Sequence, residues 1–210
     1  MDNDANVYAL AEKWVGHGKG YSNFIAVTVG PGIGSGIMLG NTLYTGGNGD
    51  AGEFGHTVIQ GDGAVCYCGQ RGCLELYASD KFVVSEAYRA IVYETHPTRL
   101  KELNEVSAES VCLLAGEGDE CARGILTRRG EYLGIGLRNL INLFNPQAIM
   151  LGGEGLCGSQ YLMEGIRRRL GESEFRQPFD LHLSQLGEDA WLIGACGLVE
   201  SKVFKRSGWR

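Results

Sequence analysis

Apolar positions along the chain change period several times, and the changes divide it into elements. Val7, Leu10, Ala11 and Trp14 recur at helical spacing behind Asn3 and Asp4, either of which suits a helix N-cap. The β-rich run Asn23-Phe-Ile-Ala-Val-Thr-Val29 leads through Gly30-Pro-Gly-Ile-Gly-Ser-Gly36 to Ile37-Met-Leu39 and a turn at Gly40-Asn41, which predicts a hairpin with a glycine-rich connection. A second flexible loop, Thr45 to Gly52, precedes Glu53, and Thr57 to Gln60 reads as a further short strand. From Ser79 the period is helical: Phe82, Val83, Ala87, Ala90 and Ile91 share a face, and His96-Pro97 ends it, with His96 a surface residue. Ser107 opens a short helix that Gly116 and Gly118 stop. A long helix from about Glu120 to Phe144 follows and closes at Asn145-Pro146. Ala148 to Leu151 is then a short buried strand running into Gly152-Gly-Glu-Gly155, ahead of a helix with Tyr161, Leu162, Ile166 and Leu170 on its apolar side. Leu181 to Leu186 alternates like a strand, and Trp191, Ala195, Leu198 and Val199 mark a last helix before a basic, solvated end from Lys202 to Arg210. A β-meander followed by alternating helices and strands predicts an α/β or α+β unit with one sheet and helices packed on it.

Composition narrows the function without naming it. The formal charge of −6 argues against nucleic-acid binding by these residues, since a binder needs a basic face to neutralise phosphates. No apolar run is long enough to span a membrane. The 33 glycines are more than twice the usual share of about 7% and cluster in turns around apolar strands, which suggests close approach of backbone to a ligand. The glycine run at 30–36 lacks the Lys of a P-loop and no helical pattern follows it, so it reads equally as a tight β-turn. Where the 152–155 turn joins strand to helix, the layout places a ligand at the carboxyl end of a strand.

The chemistry is concentrated between Glu53 and Glu75. His56, Cys66, Cys68 and Cys73 follow the spacing His-x9-Cys-x-Cys-x4-Cys, which matches the ligand number and type of a closed, four-coordinate zinc site. Three thiolates and an imidazole leave no open position, so the zinc is structural, and it would fold a loop too poor in apolar side chains to fold unaided. A disulfide or buried free thiols are the alternatives. Against them stand the short Cys66–Cys68 spacing, the odd total of seven cysteines and an N-terminus unlike a secretory signal. Cys112, Cys121, Cys157 and Cys196 are scattered through apolar stretches and read as small core residues. Asp4 is either a helix cap or a carboxylate placed to accept a proton from a substrate hydroxyl.

Glu53-x-Gly-His56, the Cys-x-Cys-Gly-x-x-Gly-Cys-Leu-Glu75 run, Asn3-Asp4-Ala at a helix start and Thr28-Val-Gly-x-Gly-Ile-Gly together resemble the ROK family of sugar kinases, open reading frames and repressors, from Asn3 to about Leu198. The resemblance implies an actin-like, ribonuclease-H-like α/β fold with a mixed β-sheet, of which 1–210 would be the C-terminal sugar-binding and dimerisation lobe, truncated at its N-terminus. It implies zinc on His56, Cys66, Cys68 and Cys73 beside a hexose pocket, with Asn3, Asp4, Glu53, His56 and Glu75 at the positions that contact sugar hydroxyls. A sugar does need several fixed carboxylate and amide acceptors, and a metal loop can hold Glu53 and Glu75 rigid.

The two branches of the family imply different activities. In the kinase branch Asp4 would be the general base, with ATP and Mg lined by the glycine loops at Gly30, Gly32, Gly34, Gly152 and Gly153. This sequence departs from the kinase pattern: Pro31 replaces a hydroxyl-bearing residue and removes an N–H donor, Glu154 stands where a third glycine is usual, and the Asp-x-Gly-x-Thr phosphate loop of a preceding lobe is absent. The Val-Gly-x-Gly-Ile-Gly-x-Gly-Ile and Ala-Gly-Glu-Phe-Gly-His-Thr runs are more similar to the regulator branch, responsive to sugars such as xylose, glucose or N-acetylglucosamine. The expectation is therefore a bacterial, cytoplasmic regulator region that binds a hexose or N-acetylhexosamine effector, forms a dimer or tetramer, and reaches DNA only through an upstream helix-turn-helix. An ATP-dependent hexose kinase fragment is the alternative.

Overall fold

The computed structural model describes residues 3–93, 97–171, 178–187 and 189–203, with side chains through 198. The His96 helix end and most of the basic Lys202–Arg210 end lie outside the described residues. Five strands form one mixed sheet in the order β3-β2-β1-β4-β5. β1 (Phe24–Val29) and β2 (Ile33–Leu39) make the expected antiparallel hairpin, and β3 (Thr42–Tyr44) extends it beyond the Gly40-Asn41 turn. β4 (Ala148–Gly152) runs parallel to β1, and β5 (Asp180–Leu183) parallel to β4.

β1 and β4 are buried along their whole length, because helices cover both faces of the sheet. Their side chains alternate between two cores. Ile25, Val27, Val29, Ile149 and Leu151 pack on α5 (Glu120–Phe144) and α6 (Ser159–Gly171), whose Leu133, Leu137, Ile141 and Ile166 are 1% exposed or less. Phe24, Ala26, Ala148 and Met150 face α1 (Asp4–Trp14) and α7 (Asp189–Val203) through Tyr8, Ala9 and Ala190. Fully burying a leucine such as Leu137 stabilises the fold by roughly 1.5–3 kcal/mol.

A third cluster lies off the sheet, where α3 (Asp80–Tyr93) and α4 (Ala108–Gly116) pack on the first half of α5 through Val83, Ala87, Val111, Ala122 and Leu126. α5 thus belongs to two cores, its N-terminal half to one and its C-terminal half to the other. Its limits are set chemically. Asp119 accepts from the Ala122 N–H at 2.9 Å, and Asn145 adopts the left-handed conformation just before Pro146. Ser107 and Ser110 close α4 with reciprocal cap bonds.

Three expectations are corrected. Thr57 to Gln60 is not a strand: only Val58 bridges, to Cys73, since the loop's path follows the sulfur cluster and has no neighbouring strand to pair along. Cys112 and Cys157 form a disulfide between α4 and the turn ahead of α6, because α5 brings these distant segments within 5.9 Å Cα to Cα. Cys196 is exposed on α7, and of the four only Cys121 remains a free, buried core thiol.

Candidate functional site

A cavity of about 390 Å³ opens at the carboxyl ends of the parallel pair β1 and β4, within the size range of small-molecule sites. Four segments bring their functional groups to it. The N-terminus of α1 supplies Asn3 and Asp4. The end of β1 and the turn into β2 supply Thr28 to Gly34. The metal loop and α2 (Glu75–Ala78) supply Glu53, His56, Tyr67 and Glu75. The turn after β4, together with α7, supplies Gly153, Glu154 and Trp191.

All five residues expected at a sugar line this cavity, as do Gly30, Gly32, Gly34 and Gly153. Gly152 does not. It lies beneath the Tyr8 ring, where a Cβ would meet the tyrosine hydroxyl at 2.0 Å, so its role is packing. Gly153, at φ +101°, turns the chain so that Glu154 reaches the cavity, and Gly52, at φ +95° and hard against the Ser35 carbonyl, does the same for Glu53.

The carboxylates are held from different directions. Asn3 caps α1 by accepting from the Ala5 N–H at 3.0 Å, and its side-chain amide donates to Glu53 Oε1 at 3.1 Å, tying the helix start to the metal loop. Asp4 also accepts from the Ala5 N–H, at 2.7 Å, so both residues sit at the helix start while lining the cavity. Glu75 is 8% exposed and accepts from the Ile33 N–H at 3.1 Å, which pins it under the glycine turn. Asp4, Glu53, Glu75 and Glu154 therefore converge on one cavity, and among the described residues no Lys or Arg lines it.

A His/Cys cluster borders the cavity through His56. One ligand atom from each of His56, Cys66, Cys68 and Cys73 lies within 4.8 Å of the other three. Cys68 Sγ is 3.6 Å from Cys73 Sγ, and Cys66 Sγ is 3.6 Å from His56 Nδ1. A tetrahedral ion with bonds of about 2.3 Å to sulfur sets ligand atoms about 3.8 Å apart, so the donor set fits one. Burial, with Cys68 and Cys66 adjacent, pushes the Cys73 thiol up to about 12, while the Gln70 backbone bond lowers Cys68. A metal would displace these protons.

Three residues of the site were not legible as such. Tyr67, between two cysteines of the cluster, sets its hydroxyl 3.0 Å from His56 Nε2 and its ring edge-on to the imidazole. Burial of its hydroxyl end beside Glu75, Cys66 and Glu53 raises its phenol above the ordinary value, although the ring itself stands largely in solvent. Its place beside two ligands was the available signal. Trp191 was read as an apolar helix residue, but it lines the cavity and packs edge-on to Tyr8. Arg129, 1% exposed in mid-α5, donates to the Ala78 and Gly155 carbonyls and to Asp80 at 2.8 Å. The Asp80 N–H in turn donates to Gly30 O at 2.8 Å, so one buried cation joins both glycine turns to the start of α3. Burial lowers the Arg129 guanidinium, and Asp80 opposes that shift.

Comparison with known proteins bears on the whole of this arrangement. The xylose repressor of Caldicellulosiruptor bescii is 32% identical over 206 residues, 96% of this chain and 52% of the repressor. The glucokinase of Thermotoga maritima is 31% identical over 213 residues, 97% of this chain and 66% of the kinase. A ROK family transcriptional regulator, a homologue of the E. coli Mlc protein, superposes with a TM-score of 0.85 at 33% identity over 92% of this chain and 50% of its own. The chain thus spans about half to two thirds of the length of these relatives. Repressors and kinases alike share its sheet and helices, and the ROK family model matches residues 1–202 without a break: the chain belongs to the ROK family.

Proposed function

We propose that this chain is the sugar-effector-binding and dimerisation region of a ROK transcriptional regulator, with a structural zinc ion on His56, Cys66, Cys68 and Cys73. The observation that carries the reading is the cavity wall: four carboxylates, Asn3 and His56 converge with no Lys or Arg among the described lining residues. Such a wall suits a neutral polyhydroxyl ligand, whose O–H groups donate to carboxylates, and it repels a phosphate chain. Pro31 and Glu154 act in the same sense. The first removes an N–H donor from the glycine turn, and the second adds a negative charge beside it. The effector is a hexose, an N-acetylhexosamine or, by analogy with the xylose repressors, a pentose.

In this reading the bound sugar biases closure around the cavity, and a homo-oligomer passes the change to DNA-reading elements outside these residues. The protein would work in the bacterial cytoplasm. Among the described residues no helix is long and apolar enough to cross a membrane.

One observation favours the second reading, an ATP-dependent hexose kinase. Asp4 sits in the cavity at a helix start, where it could act as general base, and Mg would then offset the carboxylates. Calorimetric titration of the zinc-loaded protein with hexoses, N-acetylhexosamines and xylose, with and without a non-hydrolysable ATP analogue, separates the two. Sugar binding without nucleotide binding, lost in Glu53→Ala, supports the effector reading. Nucleotide binding that sugar strengthens, with phosphorylated sugar formed from ATP and none formed by Asp4→Asn, overturns it.

A further inference from the structure

Tyr67 stands at the boundary between the sugar cavity and a second space. A cleft of about 480 Å³ lies beneath α3, and Tyr67 and Glu75 are the residues that line both. The two differ in how firmly they are held. Glu75 is 8% exposed and fixed by the Ile33 N–H, whereas Tyr67 is 76% exposed and is held at its hydroxyl and ring edge by His56. Tyr67 is therefore the movable part of the partition.

The hydroxyl contact gives the partition a chemical role. With Nδ1 facing the sulfur cluster, a metal-bound neutral imidazole carries its proton on Nε2 and has one donor left to offer. That donor faces the Tyr67 oxygen at 3.0 Å, so the tyrosine occupies the place a sugar oxygen would take. Beyond it, the second cleft mixes Leu76, Phe82 and Tyr132 with Ser79 and Ser85, and the Ser79 hydroxyl is buried with no hydrogen-bond partner. An acyl amide would find both apolar contact and polar partners there.

The geometry points to Tyr67 as a specificity-determining residue. In place it limits the cavity to an unsubstituted sugar and excludes one that carries an N-acyl group reaching into the second cleft. This rests on the sugar-binding reading. It narrows the effector to a plain hexose or pentose, and it locates the exclusion in one side chain of the metal loop.

The test is calorimetric titration of the zinc-loaded protein with glucose, mannose and galactose and with the 2-acetamido counterpart of each, in wild type, Tyr67→Phe, Tyr67→Ala and Tyr67→Val. The wild type should prefer the parent hexose. Tyr67→Ala and Tyr67→Val should move the affinity ratio toward the acetamido sugar by on the order of tenfold or more, as expected when a steric wall is removed. Tyr67→Phe keeps the ring and should keep the preference. Ser85→Trp added to Tyr67→Ala refills the cleft from α3 and should restore it, which a purely structural role for Tyr67 would not predict. Zinc content, measured in each variant, shows that the loop is assembled. A wild type that favours the acetamido sugar overturns the proposal, as does a shift below about threefold in both small variants with full zinc. If no sugar in the panel binds any form, the sugar-binding reading itself fails.

Discussion

The sheet with its helices and the loop from Glu53 to Glu75 reach definite structures by opposite means. In the first, β1 and β4 are wholly buried, and Leu133, Leu137 and Ile149 have no exposed surface. In the second, Val58, Val65 and Tyr67 are 46%, 59% and 76% exposed; Phe54 and Leu74, near its two ends, reach the sheet core, and between them the clustered groups are sulfur and imidazole. Apolar burial determines the first region, where the strands and helices order one another. In the second a His/Cys cluster stands in place of an apolar core, and under the proposed zinc site ligand geometry would order it. The cavity lies on the seam, with one wall fixed by each kind of force. Damage to one region should therefore be separable from damage to the other.

The largest effect is expected from breaking the metal loop. Cys73→Ser should lower metal affinity by more than about 100-fold, since changes even outside the ligand sphere cost about 10–100-fold, and a chelator should remove the ion from the wild type. Sugar binding should be lost with it, while the helical circular dichroism of the sheet-and-helix region persists. Loss of the global fold on chelation would erase the distinction between the regions. The pH dependence has a fixed sign. Cys73 holds its proton up to about 12 without metal, and binding must remove it, so zinc uptake releases protons and weakens as pH falls. A zinc titration at pH 6, 7 and 8 that showed no such trend would exclude thiolate ligation.

Breaking the other region should reverse the pattern. Asp80→Ala leaves the Arg129 cation, 1% exposed, without its counter-charge, which costs roughly 4 kcal/mol in chemical denaturation, within the range for uncompensated buried charges. Leu137→Ala, in the sheet-facing core, should cost roughly 3 kcal/mol through lost burial and the cavity left behind. Both should lower global stability and leave zinc stoichiometry at saturation unchanged in the folded fraction. Asp80→Ala should also weaken sugar binding, because Arg129 and Asp80 anchor both glycine turns, whereas Leu137→Ala should not.

The same division explains what was legible in the sequence. Where burial dominates, periodicity and caps suffice. Ser107, the start near Glu120 and Asn145-Pro146 mark helix ends that the structure reproduces, and the Asn23–Leu39 hairpin follows from its β-rich runs. β3 escaped because three residues, Thr42 to Tyr44, are too short a run to establish a period. In the loop the clustering of His56, Cys66, Cys68 and Cys73 was legible from type and spacing, since metal chemistry would restrict both. The path between them was not: Thr57 to Gln60 resembles a strand locally, but it pairs only with Gly72–Leu74, too short a partner to form a ladder. Long-range pairings were also out of reach. Cys112 meets Cys157 and Arg129 meets Asp80 only because helix packing brings them together, and no local pattern encodes that.

The smallest effect concerns the hydrogen bond that crosses the seam. Asn3 does two things: its side-chain oxygen caps α1 at the Ala5 N–H, and its amide nitrogen donates to Glu53 in the loop. Asn3→Ala removes both and should cost about 1 kcal/mol of stability, the usual loss for an N-cap, together with some sugar affinity. Asn3→Ser separates the roles, because a serine oxygen still caps the helix but lacks the reach and the second donor for Glu53. It should keep stability within about 0.5 kcal/mol of wild type and still weaken sugar binding by several-fold, on the order of one ordinary hydrogen bond. If both variants lose equal stability and affinity, Asn3 serves only its helix, and the two walls of the cavity are positioned independently. If Asn3→Ser loses affinity alone, the contact to Glu53 sets the distance between the helix start and the metal loop, which is the dimension a sugar hydroxyl has to match.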